Sequence, residues 1–110
     1  MRDHREEVRW EGKSRTIYKY RFFIMRALPM FINEPGNIIF AKEDEYTDWA
    51  PLLIDETDNL KEYFSDKEKL MKLRKQGTTH LHFHPSSLNR QKRKDEKSDL
   101  IEKYEPELNE

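Results

Sequence analysis

His80, His82 and His84 alternate with Leu81 and Phe83 in the stretch THLHFH, so on an extended chain all three imidazoles project from one face. Imidazoles at this spacing can share a Zn²⁺ or Ni²⁺ ion, but such a site takes further ligands and the neighbouring residues supply none. The pattern therefore reads as a polar or half-buried sheet face. Cations are denser. NRQKRKDEK puts Arg90, Lys92, Arg93, Lys94 and Lys97 within a few helical turns, and KEKLMKLRK adds Lys67, Lys69, Lys72, Arg74 and Lys75. Runs of this kind can neutralise phosphates along a nucleic-acid backbone, although the interleaved Asp66, Glu68, Asp95 and Glu96 also fit a solvated helix face. Tyr18, Tyr20 and Phe22 could stack bases as aromatic platforms do, but in a domain this small such rings are needed for the core.

These groups must be held by elements that the sequence also announces. TIYKYRFFIM, Thr16 to Met25, is β-branched and aromatic with Tyr18, Tyr20, Phe22 and Ile24 on one face, and predicts a strand. Pro29 and NEPGN supply breakers before a second strand, NIIFA. The acidic KEDEYTD predicts a loop, and WAPLLI a third strand. Thr57 or Asp58 is placed to cap a helix from about Asn59, since a short side-chain oxygen there accepts orphan backbone N–H groups. Ser65 and Glu68 have capping-box spacing for a second helix, DKEKLMKLRKQ, which ends at Gly77 with Leu70, Met71 and Leu73 as its apolar side. THLHFH is a fourth strand, and a last helix runs from near Ser86 or Ser87 to Tyr104, stopped by Pro106. Residues 1–14 read as a loose lead-in with Trp10 pinned to the body, and 15–110 as one domain. The expected class is α+β, an α/β sandwich with a small three- to four-stranded, mainly antiparallel sheet flanked by helices.

Composition narrows the setting. With 110 residues there is material for one core, not two. A charged fraction of 39% against 35% hydrophobic would favour disorder, were it not that the aromatic residues, 12% of the chain, cluster in periodic segments that can be buried together. A net charge of −1 hides local segregation of acid and base and says little of partners. The absence of cysteine excludes disulfides, thiolate zinc sites and thiol catalysis. No apolar run approaches a membrane span, and MRDHREEVRW lacks an apolar signal core, so the expectation is a cytoplasmic protein without membrane contact.

The order of elements, with PGNIIF, LLIDET, DNLKEYF and DEKSDLIEKYEPELN in sequence, resembles the GIY-YIG nuclease family over roughly residues 35–109. Gly36, Ile54, Thr57, Asn59, Leu60, Leu100, Ile101, Pro106 and Asn109 match that family's frame. The resemblance places the family's two tyrosines at Ile38 and Leu53, its glycine at Asp55, its arginine at Tyr63 and its metal-binding glutamate at Lys97, and none of the five is kept. Ile38 and Leu53 exchange no proton, a phenol is neutral where a guanidinium is always charged, and a lysine repels the Mg²⁺ that a glutamate would hold. Asp55, Glu56, Asp95 and Glu96 are carboxylates close in sequence to the altered positions, and of these Asp55 and Glu96 are the candidates for a relocated metal site. Glu96, however, is one residue from the family position, a rotation of about 100° around a helix.

The expectation is a catalytically degenerate GIY-YIG-like domain that needs no cofactor and binds DNA or another nucleic acid. Its contacts would be Asn59, Lys72, Arg74, Lys75, Arg90, Lys92, Arg93, Lys94 and Asn109. The alternatives are an active, Mg²⁺-dependent structure-specific endonuclease with a rearranged site, and a module or inhibitor that meets a protein partner.

Overall fold

The computed structural model describes residues 7–44, 48–86 and 88–109. Its architecture is α+β: a five-stranded sheet in the order β1-β2-β5-β3-β4 with every neighbouring pair antiparallel. The strands are β1 (Glu7–Glu11), β2 (Ile17–Ile24), β3 (Gly36–Glu43), β4 (Trp49–Thr57) and β5 (His80–Pro85). Two short helices, α1 (Leu60–Tyr63) and α2 (Lys67–Lys75), lie between β4 and β5, and α3 (Arg90–Tyr104) follows β5.

The fifth strand corrects the expected count of three to four. Glu7–Glu11 is not loose lead-in but a strand paired with β2, with Trp10 opposite Tyr18 and buried. Its weak signal is that of an edge strand, in which charged side chains discourage pairing with other chains. Residues 1–6, the middle of the acidic loop (45–47), Ser87 and Glu110 lie outside the described residues.

β3 explains why NIIFA is apolar without alternating. It is covered on both faces: Ile38 and Phe40 enter a core with Leu60, Phe64, Leu70 and Leu73 of the α1–α2 segment, while Ile39 and Ala41 enter a second core with Trp10, Tyr20, Ile54 and Leu100. A strand buried on both sides reads as a continuous apolar run. α1 and α2 therefore sit on one face of the sheet and α3 on the other. Gly36 opens β3 where a Cβ would come within 2.7 Å of the Leu60 side chain, so the close approach of strand and helix needs glycine.

The caps differ from the expected ones by one to three residues. Asn59 rather than Thr57 or Asp58 accepts from the Glu62 N–H at the start of α1, and the Thr57 hydroxyl accepts from the Asn59 N–H behind it. Asp66, not Ser65, caps α2, and Asn89 caps α3 by accepting from the Gln91 and Lys92 N–H groups. In each case a carboxylate or carboxamide one to three residues further along takes the position. Met71, expected inward, is 57% exposed, whereas Leu70 and Leu73 are buried as expected.

Candidate functional site

The five positions singled out by the resemblance come from β3, β4, α1 and α3 and meet in one patch. Ile38 and Asp55 are cross-strand partners in register, and Leu53 lies two residues before Asp55 on the same face of β4. Ile38 is fully buried, with Leu53 and Tyr63 packed against its cluster. The Tyr63 hydroxyl donates to Asp55 Oδ2 at 2.8 Å, Lys97 Nζ donates to Oδ1 at 3.1 Å, and Lys69 Nζ lies 3.8 Å from Oδ2. Lys69 also stands over the Tyr63 ring, 4.0 Å from its centre, a cation–π contact. Burial, then the charge of Asp55 and the hydrogen bond to it, raise the Tyr63 phenol far above its ordinary value, so it stays a neutral donor. The carboxylate at the centre is thus matched by two ammonium groups and a phenol.

A second polar group lies on the opposite face of the sheet, beneath the N-terminal half of α3. His84, Asn37 and Glu56 are in register across β5, β3 and β4, and the Tyr20 ring on β2 lies 4.7 Å from that of His84. From α3, Glu96 Oε2 accepts from the Tyr20 hydroxyl and pairs with His84 Nε2 at 2.8 Å. His84 Nδ1 lies 2.8 Å from the Pro85 carbonyl oxygen. Burial by itself lowers the basicity of His84, but the Glu96 hydrogen bond and charge with the Pro85 carbonyl outweigh it, so its pKa is raised. Arg93, almost wholly buried, directs Nε to Glu56 Oε2 at 3.0 Å and Nη2 to Asp58, while its backbone carbonyl accepts from Asn37 Nδ2 at 3.1 Å.

The expected nucleic-acid contacts divide accordingly. Lys72, Arg74, Lys75, Arg90, Lys92 and Lys94 are exposed. Arg93 is not available, since its charge is spent on Glu56 and Asp58 inside the domain. Asn109 is engaged in structure: its carboxamide accepts from the Ile54 N–H at 2.7 Å and donates to the Ile54 carbonyl at 2.8 Å, pairing with β4 as a neighbouring strand would. Asn59 is a helix cap that also donates to the Asn33 side chain. The two basic stretches lie on opposite faces of the sheet, and Lys69 of α2 and Lys97 of α3 share Asp55 on β4.

Asp55 and Glu96 do not come together as a metal site. Lys97 turns toward β4 while Glu96, one step along the helix, turns toward β2 and β5. Among the described residues no group of three His, Asp or Glu side chains is placed to hold a metal ion. The three histidines do share the α3 face, but each is engaged locally: His80 packs on Trp49, His82 Nδ1 accepts from Trp10 Nε1 at 3.0 Å, and His84 pairs with Glu96. Among the described residues no helix is long and apolar enough to cross a membrane. Asn37 and the Tyr20–Glu96–His84 network escaped sequence reasoning; a polar residue at the head of a two-sided apolar strand was the only signal. Compared with protein-family models, with curated proteins and with solved structures, the chain finds no match.

Proposed function

We propose that the chain is a GIY-YIG-like domain without cleavage chemistry, which binds nucleic acid by its backbone through cations flanking β4 and the start of α3. The observation that carries this reading is the meeting of five positions, drawn from four elements, in one patch centred on Asp55. Their meeting fits the frame that the resemblance requires, and their chemistry does not fit hydrolysis. Cleaving a phosphodiester takes a group to activate water and a cation held where charge develops. Here Ile38 and Leu53 are apolar, and a divalent ion at Asp55 would have to displace Lys97 and Lys69.

Binding needs less. Lys72 lines a groove beside Leu53 on the α2 side of β4, and Lys94, three residues before Lys97, shares that helix face toward β4. Each phosphate neutralised releases counterions, so affinity must fall steeply with salt. The test is binding of labelled single-stranded and branched DNA at low and high salt, with and without Mg²⁺. We expect binding without cleavage, weakened by salt and reduced about tenfold in the double variant K72E/K94E. Strand cleavage abolished by a chelator and by Asp55→Ala would overturn the reading in favour of an endonuclease. A second reading, docking of a protein, is favoured by Met30 and Ile32, which are 96% and 62% exposed beside a groove lined by Phe31 and Phe64; no DNA binding at low salt would make it the first.

A further inference from the structure

Between α3 and the sheet end lies a cleft of about 190 Å³ lined by Asn37, His84, Ser86, Lys92, Arg93 and Glu96. It is separate from the Asp55 cluster, which is on the other face. Two of the lining residues carry a side-chain oxygen, Asn37 Oδ1 and Ser86 Oγ, that is buried and has no hydrogen-bond partner among the described residues. Asn37 is 1% exposed, and its Nδ2 is already committed to the Arg93 carbonyl, so its side chain cannot turn to satisfy the free oxygen without breaking that bond. A buried acceptor left in this state costs free energy that a ligand donor would restore.

The lining defines the ligand. The volume is below the roughly 300 Å³ at which pockets begin to hold drug-sized molecules, so it admits one ring rather than a whole nucleotide. The charges deep in the wall are matched, Arg93 by Glu56 and Asp58 and His84 by Glu96, which favours a neutral occupant. At Asn37 Oδ1 the occupant must donate, and at Ser86 Oγ and the Lys92 ammonium it can accept. The His84 ring, fixed through both nitrogens, forms part of the wall. A neutral planar ring with an N–H donor next to a carbonyl or ring-nitrogen acceptor is the Watson–Crick edge of a nucleobase. We propose that this cleft takes an unpaired nucleobase, with Asn37 Oδ1 accepting its N–H and Ser86 and Lys92 meeting the adjacent acceptor. As a base of a bound strand this rests on the nucleic-acid reading above; as a free nucleoside it does not.

The experiment is ¹H–¹⁵N spectroscopy of the ¹⁵N-labelled full chain titrated with uridine, cytidine and adenosine, with ribose 5-phosphate as the probe that lacks a base. A parallel titration uses an oligothymidylate and the same length of abasic strand. The expected result is that nucleosides shift the Asn37 side-chain amide and the Ser86 and Arg93 backbone amides, and ribose 5-phosphate leaves Asn37 unmoved. Ser86→Leu, which fills the cleft and spares the Asn37–Arg93 bond, should weaken the response at least about tenfold, with the rest of the spectrum unchanged. Asn37 shifts with nucleosides but no binding of either strand would uphold the cleft as a nucleoside site and overturn the strand reading. Salt-sensitive binding of both strands with equal affinity, and no Asn37 shift with any base, would overturn the cleft and leave the backbone reading standing. Asn37 shifts that persist in Ser86→Leu would also overturn it.

Discussion

His84 shows how one side chain's surroundings become a measurable property of the protein. Its two ring nitrogens face a carboxylate and a carbonyl, so the protonated ring, with two donors, satisfies both and the neutral ring only one. The folded pKa is therefore above the unfolded value, and the proton is held more tightly in the native state. The stabilisation is complete below the unfolded imidazole value of about 6.5 and is lost as pH rises through the higher folded value. Urea midpoints should fall from mildly acidic to mildly alkaline pH in the native sequence. The fall should be smaller in Glu96→Gln, which keeps an acceptor and removes the charge. An equal fall in both proteins would place the titrating group elsewhere. Tyr20, which shares Glu96, is pushed upward by burial and by the same carboxylate, so it does not titrate in this window.

At the scale of elements, β4 presents an outer edge that no strand covers among the described residues, and the turn Glu107–Asn109 takes that place. The Asn109 carboxamide makes both bonds that a paired residue would make to Ile54. Asn109→Ala should cost about 2 kcal/mol, the sum of two ordinary hydrogen bonds, and should speed hydrogen exchange of the Ile54 amide well beyond that of its neighbours. Uniform acceleration along β4 would mean that Asn109 serves global packing instead. The same element separates what the sequence announced from what it could not. β2, β3 and β5 were legible because alternating or continuous apolar runs state how many faces are buried. α2 and α3 were legible in type but not in their first residue, since several cap-forming side chains stand within three positions of one another. That Ile38, Leu53, Asp55, Tyr63 and Lys97 share a patch is not legible in the sequence, as no local pattern joins four elements. The pairing of Lys69 and Lys97 with Asp55, and the engagement of Arg93, depend on distances that only the folded chain sets.

For the whole molecule, the sheet is a wall between two cores, and β1 closes the one under α3. The radius of gyration of 13.1 Å is that of one tightly packed unit, for which about 13 Å is expected at 100 residues, so both layers should unfold together. Trp10 is the test of that unity, because it comes from a segment whose sequence does not look structured. Its indole N–H donates to His82, its ring meets Tyr104 of α3 edge-on, and it packs with Tyr20, Ile39, Ile54 and Leu100. Trp10→Ala should lower stability by about 4 kcal/mol, as truncation of a buried large aromatic does. Trp49, the remaining indole, packs on the same core from β4 and meets the His82 ring edge-on at 4.5 Å, so its fluorescence reports on the α3 layer. If the two cores are one cooperative unit, Trp49 fluorescence and far-ultraviolet circular dichroism of the variant will shift to the same lower urea midpoint. A loss below about 1 kcal/mol would make β1 a dispensable flap, and separate midpoints for the two signals would show that the α3 layer can melt while the α1–α2 layer persists.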